Sequence, residues 1–365
     1  MDILNFFHFE DAGRRIEDLE TPVPIIDIGV VENNLKRWQE RCGKAGFANR
    51  PHIKTHKLAP LAQAQVAFGA KGVTVQKLGE AEAMAAAGID DMLLTFNILG
   101  RHKLERLAEL ARRTAIQVVA DNEAVLEGLG HAAKAAGRDI SVMVECDTGA
   151  GRNGVQTPEA AVALAQAIGR QPGLVFGGLM TLPKNGARGK MQSFLDAARH
   201  GLERTGLGIP AISTGGTPDM WKDDGLEHIS EYRAGTYIYN DRMQVAAGSA
   251  APGDCALSVL ASVVSVPTAE RAMTDAGSKA LTSDLLGLEG YGEVRDLSGA
   301  QVYAMSEEHG FLDVSKLNSK PKVGDLVRIT PNHVCPVTNL FDKVVFVKGD
   351  EVLGAVRVDA RGAVQ

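Results

Sequence analysis

From Val23 to about residue 240, short runs of Val, Ile and Met alternate with longer stretches in which Ala and Leu recur at helical spacing. The runs at 25–28, 50–54, 72–76, 92–94, 116–120, 141–145, 175–180, 211–213 and 231–238 predict strands. Between them, 31–45, 60–68, 78–87, 103–113, 123–136, 158–168 and 190–204 predict helices. Alternation at this length implies parallel strands joined by crossover helices. About eight such units in succession fit a closed (β/α)8 TIM barrel better than an open sheet. After Asp241 the helical spacing fades, and runs at 257–266, 302–305, 326–329, 344–347 and 352–356 are separated by Gly, Pro, Asn and Asp. That texture predicts an all-β domain. The expected division is a leader at 1–22 that joins the β domain, a barrel at 23–245 and a β-strand domain at 246–365.

In such a barrel, polar segments that follow the C-terminal ends of strands converge on one mouth. One of them is Pro51-His52-Ile53-Lys54-Thr55-His56-Lys57. On a strand, alternation places His52, Lys54 and His56 on one face. A lysine between two imidazoles is held as a neutral amine, the form that attacks a carbonyl to make a Schiff base. Taken alone, these seven residues read as a solvated basic loop, and their company changes that reading. Ser213-Thr214-Gly215-Gly216-Thr217 offers glycines that let backbone N–H groups approach an anion, with hydroxyls that can donate to it. Arg233-Ala234-Gly235-Thr236 follows one loop later and is expected to close the cradle. Loops after the seventh and eighth barrel strands are a frequent phosphate site. A phosphate cradle opposite a Schiff-base lysine predicts pyridoxal 5′-phosphate, PLP.

With these segments in place the chain resembles a known family. Asp147-Thr148-Gly149-Ala150-Gly151-Arg152-Asn153-Gly154 is similar to a signature of alanine racemase-type, fold type III PLP enzymes. Gly178-Leu179-Met180-Thr181 and Arg233-Ala234-Gly235-Thr236-Tyr237-Ile238-Tyr239 resemble further motifs of that superfamily, in the same order. The lysine segment, Gln76-Lys77-Leu78-Gly79-Glu80-Ala81-Glu82, Ser306-Glu307-Glu308-His309-Gly310 and Pro331-Asn332-His333-Val334-Cys335-Pro336 resemble its D-threonine aldolase and D-serine dehydratase group. The resemblance spans essentially the whole chain. It implies Lys54 as the Schiff-base lysine and Lys57 as a bystander. It places Arg152 beside the cofactor ring or its phenolic oxygen, and Gly215, Gly216, Thr217, Gly235 and Thr236 around the phosphate.

His333 and Cys335 stand two residues apart, so on a strand they would face one side and could share a metal ion. Thiolate with imidazole favours zinc among the divalent ions, with Mn, Mg or Co as alternatives. An isolated His-x-Cys is more often a buried pair; the resemblance implies a divalent metal at these residues, supplied by the β domain. In such an enzyme the cofactor is an electron sink at Cα and the metal a Lewis acid on the β-hydroxyl. Two outcomes follow for a 3-hydroxy D-amino acid: retro-aldol cleavage to glycine and an aldehyde, taken first, or dehydratase-type β-elimination to a keto acid and ammonia. An amino-acid racemase would need a second acid/base, for which Tyr291 and Tyr303 are available, but would leave the metal motif idle. A non-catalytic PLP-binding protein would resemble the barrel alone. Leu182 stands where the superfamily often carries a histidine, which leaves His52, His56, His309 or metal-bound water as proton carrier and Lys184 as a candidate for the substrate carboxylate.

Composition narrows the partners. A net charge of −6, with 39 Lys and Arg against 45 Asp and Glu, argues against a nucleic-acid surface. No apolar run is long enough to span a membrane and the N-terminus lacks a basic signal start, so a cytoplasmic location is expected. Cys42, Cys146, Cys255 and Cys335 are too scattered for a disulfide framework. The resemblance implies a homodimer acting on a small-molecule substrate.

Overall fold

The computed structural model describes residues 1–222 and 226–365. They form two compact units. One comprises Gln39–Lys54, Ala62–Gly235 and Ala363–Gln365; the other comprises Met1–Trp38, Thr55–Leu61 and Thr236–Gly362.

In the first unit eight parallel strands run in the order Ala48–Asn49, Glu231–Tyr232, Ile212–Thr214, Leu174–Thr181, Ile140–Cys146, Ala115–Ala120, Asp91–Leu94 and Val73–Val75. A parallel bridge between His52 and Thr74 joins the two ends of this sheet and closes the barrel. Its interior holds Leu93, Val119, Met143 and Met180, one from each of four neighbouring strands. Gly178 is required by the geometry: its φ is +120°, and a Cβ there would lie 1.9 Å from the carbonyl oxygen of Ala211. The two-residue strands need outside help. Arg50, fully buried, donates to Glu231 at 2.8 Å and to Asp91 at 2.6 Å, tying three strands together by charge where the ladder is short.

The second unit is a nine-stranded sheet in the order Arg271–Thr274, Gly310–Asp313, Gln301–Met305, Gly292–Val294, Leu326–Pro331, Leu257–Thr268, Val23–Asp27, Lys343–Lys348 and Glu351–Arg357. Arg271–Thr274 also pairs with Leu257–Thr268, which curls that end of the sheet on itself. The first predicted barrel strand belongs here: Val23–Asp27 pairs antiparallel with Leu257–Thr268 and parallel with Lys343–Lys348. Its central residues are buried on both faces, and Ile25 packs with Leu260, Val345, Val347 and Val352. A strand buried on both faces has one apolar pattern whichever sheet receives it, which is why sequence placed it in the barrel. The leader adds bridges from Glu10 to Ala355 and from Arg15 to Glu351.

Candidate active site

The lysine segment is a turn, not a strand. Pairing in this part of the barrel stops at the His52–Thr74 bridge, and Ile53–Thr55 forms a 3-10 turn. Pleat alternation therefore does not align His52, Lys54 and His56. Pro51 explains part of the change: it has no N–H for a ladder, and its carbonyl accepts from Thr74 N at 2.8 Å. His52 is buried and both its nitrogens are engaged. Gln76 spends its amide N–H on Thr95 O at 2.9 Å, so its oxygen, 3.1 Å from His52 Nε2, acts as acceptor. This fixes the proton on Nε2, and Nδ1 accepts from Lys54 N at 3.4 Å. Burial, then the charges of Lys54, Arg233 and Arg152, push the imidazole well below its ordinary pKa, against the Gln76 bond. His52 is thus a neutral, oriented ring beside Lys54 rather than a free proton carrier. Lys54 itself is half-buried.

Arg152 lies on the loop after Ile140–Cys146. Asp147 shapes that loop by accepting from Gly149 N at 2.9 Å and Gly151 N at 3.1 Å. Arg152 is half-exposed, donates to Asn153 Oδ1 at 3.0 Å and lies 3.8 Å from Glu145. Asn153 in turn donates to Glu145 at 2.6 Å. Burial pushes Glu145 up to about 7, against the pull of Arg152 and Arg233. Arg233, expected at the phosphate, directs its guanidinium to Ser213 Oγ and Thr181 O, both at 2.8 Å, and so ties strand ends beneath the rim. Burial lowers its pKa to about 10.

The glycine turn has two distinct parts. Gly215, with φ +98°, is needed because a Cβ would meet the Tyr232 ring at 2.4 Å. Gly216 is extended and accepts from Tyr232 OH at 3.0 Å, while Leu182 Cδ1 lies 3.4 Å from where its Cβ would stand. Leu182 thus walls this turn. Next to it Thr217 Oγ1 is buried without a hydrogen-bond partner. Gly235 is buried on the neighbouring loop.

In the other unit His333 and Cys335 open a helix, Val334–Leu340, with His333 as its N-cap. The expected strand does not form; Pro336 suits a helical first turn, where its missing N–H costs nothing. The two side chains still come within hydrogen-bonding reach of one another. His333 Nδ1 is 2.8 Å from Asp284 Oδ2. Burial would lower the pKa of His333, but Cys335, Asp284 and Asp241 raise it to about 9. Cys335 Sγ lies 3.2 Å from Thr55 Oγ1 and 3.8 Å from Thr236 Oγ1, so Thr236 sits beside the thiol. No group of three or more His, Cys, Asp or Glu side chains suited to a metal occurs among the described residues. His56 is buried, accepts from Leu58 N at 3.0 Å and sets its ring edge against Tyr239. Lys57 is buried with its amine on Asn339 at 2.8 Å. His309 is exposed in the turn of the hairpin formed by Gln301–Met305 and Gly310–Asp313.

Comparison with known proteins agrees with the fold. The model described as alanine racemase, N-terminal domain, matches residues 26–243. The chain belongs to the alanine racemase-type family. Within this family a serine dehydratase domain model matches residues 256–347. D-threonine aldolase from Arthrobacter sp. is 33% identical, covering 96% of this chain and 95% of that protein. D-threo-3-hydroxyaspartate dehydratase from Delftia sp. is 32% identical, covering 87% of this chain and 91% of that protein. The crystal structure of D-threonine aldolase from Filomicrobium marinum superposes with a TM-score of 0.90 at 31% identity, covering 98% of this chain and 100% of that chain. A D-threo-3-hydroxyaspartate dehydratase solved as a cysteine-to-alanine mutant in the metal-free form gives 0.85 at 29% identity over 94% of this chain and 99% of that chain. Alanine racemase-type architecture accounts for both units: a parallel barrel and an antiparallel β domain.

Proposed function

We propose that this protein is a PLP- and divalent-metal-dependent lyase acting on 3-hydroxy D-amino acids, with retro-aldol cleavage of the D-threonine aldolase type as its reaction. The observation that carries the reading is the set of groups in the barrel unit: a half-buried lysine beside a neutral imidazole, a half-exposed arginine, and a buried threonine hydroxyl without a partner at a glycine turn. These groups fit PLP. Lys54 would hold it, Arg152 would face its ring, and Gly216 N–H with Thr217 Oγ1 would receive the phosphate. His333 and Cys335 fit a borderline-soft cation such as zinc. They are two protein donors where catalytic zinc sites commonly supply three, so the remaining positions would fall to water and substrate.

Bound there, PLP supplies an electron sink for the bond broken at Cα, and the metal ion a Lewis acid for the β-hydroxyl. The protein's own work is positional. Neutral His52 stands beside Lys54 without competing for its role. Leu182 adds an apolar wall where the family often has a histidine, so proton transfer falls to another group. His309 is exposed on its hairpin. In the aldolase outcome the β-hydroxyl loses its proton, Cα–Cβ breaks to release an aldehyde, and Cα takes up a proton to give glycine. In the alternative, the Cα proton and the β-hydroxyl leave as water, and hydrolysis of the resulting enamine releases a keto acid and ammonia. The Cys335 thiol favours this second reading on the family resemblance, in which dehydratases often present His-x-Cys where aldolases present His-x-Asp. The aldolase stays first because relatives of that type match over almost the whole chain.

Lys54→Ala tests the cofactor assignment. The wild-type protein loaded with PLP should show an absorbance band near the visible edge that moves on borohydride reduction, and the variant should lack it. An unchanged band in the variant would remove Lys54 from the scheme.

A further inference from the structure

Outside the residues already assigned, the loop after Ser278–Leu281 holds one carboxylate in a constrained place. Thr282 has φ +69° and ψ 166°, a strained backbone conformation for a β-branched residue. Its hydroxyl accepts from Asp284 N at 3.1 Å. Asn332 Nδ2 then grips both ends of the following loop, donating to Asp284 O at 3.0 Å and to Gly290 O at 2.8 Å. Arg242 bridges the same Asn332, through its Oδ1, to Glu289 O. The residue after Asn332 in the chain is His333, and Asp284 Oδ2 lies 2.8 Å from its Nδ1. A strained residue, a buried asparagine and an arginine are all spent on fixing one aspartate, whose side chain is otherwise 43% exposed.

We propose that Asp284 is a positioning residue for the metal site: it holds the proton on His333 Nδ1, turns Nε2 toward the ion shared with Cys335, and increases the basicity of that nitrogen. This rests on the reading of His333 and Cys335 as metal ligands. A carboxylate on the far nitrogen of a ligating histidine fixes its tautomer and ring orientation, and losing such a partner typically weakens metal binding by about 10–100-fold. Asp284 is engaged with Nδ1, so its contribution passes through the imidazole.

The test is calorimetric titration of Zn2+ into the PLP-loaded full-length protein after chelator treatment, for the wild type, Asp284→Ala, Asp284→Asn and each change in a His333→Ala background. Asp284→Ala should weaken binding by about 10–100-fold, with little change in the melting temperature of the metal-free protein. Asp284→Asn, whose amide oxygen still accepts from Nδ1–H but carries no charge, should fall between, and it carries the test alone if the alanine variant does not fold. In the His333→Ala background neither change should weaken binding further. Wild-type affinity in the folded Asp284 variants, or an equal loss with and without His333, would overturn the proposal. Absence of Zn2+ binding by the wild type would instead overturn the metal reading on which it rests.

Discussion

Glu145 is a buried carboxyl whose burial raises its pKa from 4.5 to about 7, despite two arginines nearby. The sign follows directly. Between these values the folded protein binds a proton that the unfolded chain has lost, so stability falls as pH rises through this window and the full cost, about 3 kcal/mol, is reached above pH 7. Glu145→Gln should flatten that slope in denaturant titrations across pH 5–8 and be the more stable protein at pH 8; an unchanged slope would contradict the assignment. Thr217 offers a sharper contrast. Its hydroxyl is buried and unsatisfied, so Thr217→Val should leave the PLP-free protein at least as stable while weakening PLP binding by about 1–3 kcal/mol, roughly 5–150-fold in Kd. Thr217→Ser should retain binding. Equilibrium dialysis with PLP and melting of the cofactor-free protein check both halves. The sequence identified Thr217 by its turn, but it could not reveal the missing partner. Nor could it show that both nitrogens of His52 are engaged, because Gln76 reaches His52 only through the barrel's closure.

The helices and inner strands of the barrel follow their hydrophobic periodicity closely. Departures occur where an element is short or ambiguous. The runs read as strands at 50–54 and 231–238 give only Ala48–Asn49 and Glu231–Tyr232 followed by 3-10 turns, and the buried Arg50 compensates with two ion pairs. Arg50→Ala would leave buried Glu231 with only the more distant Lys71 amine at 3.4 Å and free Asp91 of its partner, a loss of about 2–4 kcal/mol. Urea melts should register that loss, with weaker PLP retention since both strands lead into site loops; near wild-type stability would contradict the closure role. Val23–Asp27 was legible as a strand, but not as a member of the β unit, because burial on both faces conceals the neighbour. The His333–Cys335 spacing was read as a strand, and a helix N-cap at His333 stands there instead. Asp284 lies 49 residues from His333. Its link to the site depends on the Asn332 anchor, although Asn332 stands inside a motif that the sequence already marked.

At the scale of the whole molecule the motifs fall into two sets. His52, Lys54, Arg152, Gly215, Gly216, Thr217, Arg233 and Gly235 belong to the barrel unit, while His56, Thr236, His309, His333 and Cys335 belong to the β unit. Thr55, whose hydroxyl meets Cys335 in the β unit, is the residue that follows Lys54 in the chain. The proposed chemistry needs both sets, so chelation should abolish turnover while leaving the Lys54-dependent absorbance band intact. The most direct test of the account is product analysis after incubating the PLP-loaded protein with D-threonine, before and after metal removal and readdition. The account predicts glycine and acetaldehyde in equal amounts, lost on chelation and restored by a divalent ion. Ammonia with 2-oxobutanoate in place of glycine, or undiminished cleavage after chelation, would contradict it.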